Sequence, residues 1–423
     1  MANENTAPVA IVLAAGKSTR MKSEKPKVLH DLCGLPLLSF VLDAVQQAGI
    51  NRKIVVVGFG AAEVKASCAA NAGVEFAVQD QQRGTGHAVM VCKEALKGHR
   101  GPVVVLAGDA PFVRSEMLAQ LIDRYHKTQA SAFVATAVVT NPFGYGRIVR
   151  DEAGNFDRIV EQKDAKPAEA AIQEINPSFY VFDGPLLFEA LDSVRPENAQ
   201  GEYYLTDVPG ILKKQGKKVV AEALADEVDM YGINHRRHLG EAHALMQERI
   251  QGKLMDEGVT IVDPRSTSID ARALIGKETV IRPFSVISGP VSIGKNCKIG
   301  PFAHIRENVT LHDGAEVGAF VEIVRSTIGE GTCARHLAYL GDANIGKHVT
   351  IGAGAITANF DGKVKQSTSV ADAVLLGAGS VLIAPVQVGS GAVVGAGAVV
   401  TRNHNVAPGE KVIGIPARRK QLE

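Results

Sequence analysis

This 423-residue sequence has almost no surplus of charge, its 46 lysines and arginines standing against 45 acids. That balance offers no broad positive field to nucleic acid or to an anionic membrane, so acidic substrates must be held by local groups. No apolar stretch reaches membrane-spanning length. The opening residues, from Met1 to Pro8, carry neither the basic nor the apolar region of a secretory signal, and a cytoplasmic protein is expected. Cysteine is scarce and scattered. Cys33, Cys68, Cys92, Cys297 and Cys333 are odd in number and lack metal-type spacing, so they read as reduced thiols, most of them small buried groups. The length suggests two or three domains at about 150 residues each.

What is present begins with the apolar run Val9-Ala-Ile-Val-Leu13, the pattern of a buried parallel strand. It leads into Leu13-Ala-Ala-Gly-Lys-Ser-Thr-Arg-Met21 and then Pro26-Lys27. Ala14, Ala15 and Gly16 at the strand end allow close approach of a phosphate to backbone N–H groups, while Arg20 and Lys27 bring positive charge. Up to about residue 235, short aliphatic runs alternate with helical stretches: 53–58, 102–106 and 131–139 as strands, 37–48 as a helix. This is the pattern of a doubly wound α/β domain, whose ligands sit beyond the carboxyl ends of the strands. A second loop there, Ala107-Gly-Asp109-Ala-Pro-Phe112, offers one carboxylate. Magnesium needs only one or two, completing its shell with phosphate and water, so Asp109 is a candidate ligand. Between these loops Gln79-Asp-Gln-Gln-Arg-Gly84-Thr-Gly-His87 combines amides, able to donate and accept at a base edge, with a glycine turn. Further polar groups near turns, among them Gly146, Glu161, Asn176 and Asn234, suit sugar hydroxyls.

In this order the segments resemble the sugar-1-phosphate nucleotidylyltransferases over essentially the whole first half. Within them the likeness is to the bifunctional bacterial GlmU-type enzymes that make UDP-N-acetylglucosamine, a precursor of peptidoglycan and lipopolysaccharide. The resemblance implies that Leu13, Ala14, Gly16, Gln79, Gly84 and Thr85 bind the uridine nucleotide. It implies that Arg20 and Lys27 act catalytically on its phosphates, and that Gly146, Glu161, Asn176 and Asn234 hold the N-acetylated sugar phosphate. Asp109 and Asn234 are the implied Mg2+ ligands. Ala107 stands where the family often has Tyr.

Residues 236–257 read as an amphipathic helical linker, with Leu239, Ala242, Leu245, Met246 and Ile250 on one stripe. From 258 to 423 the period changes. Aliphatic residues recur every six positions from Ile275 through Ile281, Ile287, Ile293, Ile299 and onward to Ile323, and again from Val370 to Val400. A hexapeptide period predicts a parallel β-helix with three repeats per triangular coil. The phase is lost between Val324 and Ser369, and breaks in a strict repeat are where sites are sought. The break holds Arg335-His336, Tyr339, Asn359, Phe360 and Lys365. An unperturbed imidazole titrates near about 6.5, so His336 suits a general base.

This half resembles the acetyltransferase of the same family, a left-handed β-helix that moves acetyl from acetyl-CoA to glucosamine-1-phosphate and works as a homotrimer. By that resemblance His336 is the base, Glu322 orients it, and Arg306 and Lys365 hold the sugar phosphate. Tyr339 binds the sugar, and Ala353, Asn359, Phe360 and Ala396 line the acetyl-CoA site between subunits. Three positions depart from the pattern: Val324 replaces a Lys, Thr350 an Asn and Gly414 an Arg. They keep a second reading open, in which a monofunctional nucleotidylyltransferase carries the β-helix as a trimerisation scaffold or uses it on a different acceptor.

Overall fold

The computed structural model describes residues 5–17 and 19–420; Ser18 of the glycine turn and the first four residues, read above for a leader, lie outside the described residues. The chain forms two units, Met1–Ala242 and His243–Glu423.

In the first unit the apolar runs become strands: β1 (Val9–Leu13), β2 (Arg52–Val57), β3 (Val74–Val78), β4 (Pro102–Ala107), β5 (Ala132–Val138), β6 (Gly146–Arg150), β7 (Phe156–Val160), β8 (Glu174–Asp183) and β9 (Val219–Ala223). The main sheet runs β9-β5-β8-β4-β1-β2-β3. Strands β4, β1, β2 and β3 are parallel in that order, and β9 is parallel to β5. Two apolar clusters, one on each face, bury these runs on both sides, which is why they read as continuous rather than alternating. The helix Leu37–Gln47 buries Leu37, Leu38, Val41, Leu42 and Val45, one helical face, and stops before Gly49 at φ +85°.

One element differs from the sequence reading. Asn176, expected near a turn, lies in β8, the longest strand of this sheet, which pairs antiparallel with β4, β5 and β6. Pro177 lies in the register irregularity between Ile175 and Phe179, and that break in an otherwise apolar run gives the segment its turn-like appearance.

The second unit is a stack of coils. Among the described residues, its strands form parallel sheets of ten, eight and seven members, apart from one antiparallel terminal pair. The hexapeptide aliphatics stack inward, Ile281 on Ile299, Ile287 on Ile305 and Ile293 on Leu311. Together they make one continuous core from Leu254 to Val412. The coils continue through residues 324–369. Two successive coils are one residue short there, pairing Ile323 with Leu340 and Ile328 with Ile345. The shortened corners carry Arg325 at φ +46° and Asp342 at φ +51°. The period resumes after a loop that leaves the stack at Asn359, closes on itself through a Phe360 to Lys365 bridge, and returns at Thr368. A helix, Arg236–Asp256, crosses the boundary between the units.

Candidate active sites

The first site lies where β1 and β4 end. A cleft of about 380 Å3 is lined by the backbone and side chains of Leu13, Ala14, Gly16 and Lys27, by Gln79, Gly84 and Thr85, and by Asp109. Eight of the residues proposed from sequence therefore face one cavity. Backbone bonds fix its walls: Gly108 N–H donates to the Leu13 carbonyl at 2.9 Å and Ala14 N–H to the Val56 carbonyl at 2.9 Å. Gly84 has φ +106°, and a β-carbon there would stand 2.6 Å from the Tyr203 carbonyl oxygen, so only glycine fits. Gly16 is different. A β-carbon on it would meet nothing within 4 Å, so its open space faces the cleft rather than the protein.

Arg20, Lys27, Asp109 and Asn234 come together although they lie in separate loops. Lys27 pairs with Asp109 and lies 3.4 Å from Asn234 Oδ1, to which Arg20 Nη2 also donates at 2.9 Å. The loops are tied by the Ile233 N–H donating to the Asp109 carbonyl at 3.2 Å. Asp109 and Asn234 thus turn hard oxygen donors toward one cationic centre, a donor set that suits Mg2+ in company with phosphate oxygens.

The proposed sugar residues sit on adjoining strands. Gly146 and Asn176 are register partners, and the buried Asn176 amide donates to Tyr180 Oη at 2.6 Å. Glu161 accepts from Thr206 Oγ1 at 3.0 Å; burial pushes its carboxyl upward, and Asp164, Asp207 and Glu202 add to the rise. Burial pushes the Tyr145 phenol up, and the Asp109 and Glu227 carboxylates add to the rise.

Sequence reasoning missed Gln82. Its Nε2 donates to the Ala15 carbonyl at 2.7 Å and its Oε1 accepts from Lys17 N–H at 3.2 Å, so it clamps the glycine turn. Its presence in the same amide-rich run as Gln79 was the available signal.

In the second unit the proposed residues fall on two corners. His336 is the register partner of Ala319, and backbone bonds place Ala353, Ala378 and Ala396 along the same edge: Gly379 N–H donates to the Ala353 carbonyl and Gly397 N–H to the Ala378 carbonyl, both at 2.8 Å. The exposed His336 borders a cavity of about 360 Å3 with Arg282, Lys298, Glu316 and Arg335. Arg306, Tyr339, Asn359, Phe360 and Lys365 belong to the next face and its corner. There Arg306 Nη1 donates to Glu322 at 2.9 Å, so the contact found for Glu322 is Arg306. Arg325 holds Asp342 through Nε at 2.7 Å and Nη2 at 2.9 Å, and Asn359 donates to Asp342. Glu307 was also missed, and so was the pairing of Arg325 with Asp342, because the one-residue shortening that brings them together has no local motif.

Two kinds of match accompany this geometry. A family model described as MobA-like NTP transferase domain matches residues 10–174, and one described as bacterial transferase hexapeptide (six repeats) matches 272–305, 290–325 and 367–402. The architecture is a nucleotidyltransferase α/β domain followed by a left-handed β-helix of hexapeptide repeats. Among curated proteins, "Bifunctional protein GlmU" of Geobacillus sp. (strain WCH70) is 45% identical over 93% of this chain and 92% of its own. The protein of that name in Heliobacterium modesticaldum is 42% identical over 93% of each chain, and that of Exiguobacterium sp. is 44% identical over 93% of this chain and 94% of its own. No helix among the described residues is long and apolar enough to cross a membrane.

Proposed function

Because the chain belongs to the bifunctional GlmU family, we infer that its first unit transfers the uridylyl group of UTP to N-acetylglucosamine-1-phosphate, and that its second acetylates glucosamine-1-phosphate from acetyl-CoA. The observation that carries the first assignment is the convergence of Arg20, Lys27, Asp109 and Asn234 at the mouth of a cleft of nucleotide size.

A sugar-1-phosphate oxygen is already a nucleophile at neutral pH, so the chain's task is positioning and charge neutralisation. The sugar-phosphate oxygen bonds to the α-phosphorus of UTP while the bond to the bridging oxygen breaks, and pyrophosphate leaves with the electron pair. The strand-end turn at Gly16 admits the phosphates, Arg20 and Lys27 balance the charge that builds on them, and the Gln79 to Thr85 segment holds the nucleoside. Gly146, Glu161 and Asn176 orient the sugar. Mg2+, held by Asp109 and Asn234, supplies further neutralisation of phosphate charge when bound. With the nucleotide in place Lys27 is free to exchange its Asp109 partner for phosphate.

In the second unit His336 takes the proton from the glucosamine amine as it bonds to the thioester carbonyl carbon; the carbon–sulfur bond then breaks and CoA leaves as the thiol. His336, Ala353 and Ala396 share one corner and Asn359 and Phe360 another, which supports a homotrimer in which neighbouring copies complete each acetyl-CoA site.

Purified protein with Mg2+, UTP and N-acetylglucosamine-1-phosphate is expected to release pyrophosphate and form UDP-N-acetylglucosamine; no nucleotide sugar would refute the first assignment. Thiol release from acetyl-CoA with glucosamine-1-phosphate tests the second, and its absence would favour the β-helix as a scaffold.

A further inference from the structure

We propose that Arg147 is a positioning residue for the sugar subsite of the first unit: its guanidinium ties together the three segments that carry Gly146, Glu161 and Asn176, and so fixes where the sugar phosphate lies without touching it. The inference rests on the nucleotidyl-transfer reading and adds to it a residue that does not line the cleft.

Arg147 is 1% exposed and is among the largest side chains wholly inside the first unit. A buried cation ordinarily comes with a carboxylate. The same strand supplies an example, since Arg150 Nε and Nη2 grip both oxygens of Glu174 at 2.7 and 2.6 Å. Arg147 has no such partner among the described residues. Its Nη1 donates to the Tyr145 carbonyl, its Nη2 to Gln162 Oε1 at 2.8 Å, and its Nε and Nη2 both to the Ala170 carbonyl at 3.3 Å. Burial alone moves its ionisation, and moves it down. A charge kept inside at that cost, on carbonyl and amide oxygens only, has another reason than an ion pair.

The three partners lie in three segments. Tyr145 precedes Gly146 at the start of β6, Gln162 follows Glu161 just after β7, and Ala170 ends the short helix Pro167–Ala170 that leads into β8 and Asn176. Arg147 itself is in register with Val160 of β7 on one side and Ile175 of β8 on the other, so its neighbours in chain and sheet each adjoin a sugar residue. Gln162 adds a further link, since its Oε1 also accepts from Gly144 N–H at 2.9 Å. A planar fork with donors on three nitrogens reaches all of these oxygens at once, whereas a lysine ammonium is a point charge on a flexible stem. The wall it holds has little slack. A β-carbon on Gly146 would stand 3.0 Å from Ile159 Cγ2. Small shifts matter at such a wall, because a misplacement of about 1 Å can cost about 10^2-fold in rate.

The test is nucleotidyl transfer by the full chain, comparing Arg147→Lys with the parent in KM for N-acetylglucosamine-1-phosphate at saturating UTP and in UTP affinity by equilibrium titration. Arg147→Lys keeps the charge and loses the fork, so KM for the sugar phosphate should rise by about tenfold or more, the scale of one charge-assisted hydrogen bond, while UTP affinity stays within about twofold. None of the four Arg147 bonds reaches the nucleotide walls, Leu13 to Gly16 and Gln79 to Thr85. Gln162→Ala removes the Gly144 and Arg147 links at a less buried position and should raise the same KM by about fivefold. It decides the matter alone if Arg147→Lys does not fold. A purely structural arginine predicts a lower Tm and a smaller active fraction with both substrates bound as before. That result, a KM for the sugar phosphate raised by less than about threefold, or an equal loss of UTP affinity overturns the inference. A parent that releases no pyrophosphate from UTP with this acceptor removes the nucleotidyl-transfer reading itself, and the inference with it.

Discussion

The two units place their functional residues by opposite means. In the nucleotidyl unit, Lys27 meets Asp109 and Asn234 across sequence separations of 82 and 207 residues, because strands order the loops at one edge of a sheet. In the β-helix, neighbours are set by counting: Glu322 lies over Tyr339, and Ala319 over His336, one shortened coil apart. A loop site tolerates change in its scaffold but depends on each loop; a coil site depends on phase, so the loss of one residue re-aims a whole corner. Arg325 and Asp342 show this, since both occupy left-handed positions at the shortened turns and find each other there.

The largest effect expected from this contrast is independence of the two chemistries. His336→Ala should lower acetyl transfer by about 10^2 to 10^4, the range for a general base, while leaving pyrophosphate release untouched. Loss of both activities together would break the separation. Next, Lys27→Ala should lower kcat for nucleotidyl transfer by about 10^2 to 10^3, as for removal of one fixed charge donor, with UTP affinity changed much less. Single-turnover rates beside equilibrium titration of UTP separate the two. A smaller effect is expected at Gly84→Ala, where left-handed backbone and the Tyr203 carbonyl leave no room for a β-carbon. A cost of about 1 to 3 kcal/mol should appear as weaker UTP binding and a lower Tm.

The smallest effect is a pH dependence confined to the first unit. Burial raises the Glu161 carboxyl, so the fold favours its protonated form, and the parent loses stability as pH rises from the ordinary carboxylate value of about 4.3 through the raised one. Glu161→Gln cannot ionise. Its Tm should match the parent's below that window and exceed it increasingly above; a constant gap at every pH would remove this account of Glu161.

The legibility of each site follows from the same contrast. Leu13 to Gly16 and Gln79 to Thr85 lie in continuous runs whose residue types state their chemistry, and the cleft they line was readable in order. Asn176 was harder to place, because Pro177 interrupts the apolar pattern of β8 and gives a strand the look of a turn. In the second unit the inward aliphatics gave the coil, but two missing residues and one inserted loop hid the alignment of Arg325 with Asp342. Their pairing needs three dimensions, since neither residue belongs to a motif and each turns a corner that is one residue short. The Arg306 to Glu322 pair likewise has no local signal, and a carboxylate expected beside His336 is engaged on the neighbouring face.

The most direct measurement supplies one purified chain with acetyl-CoA, glucosamine-1-phosphate, UTP and Mg2+, and follows products by mass spectrometry. Both units acting in turn should convert glucosamine-1-phosphate to UDP-N-acetylglucosamine, with thiol and pyrophosphate released in equal amounts. Accumulation of neither N-acetylglucosamine-1-phosphate nor the nucleotide sugar would contradict the account.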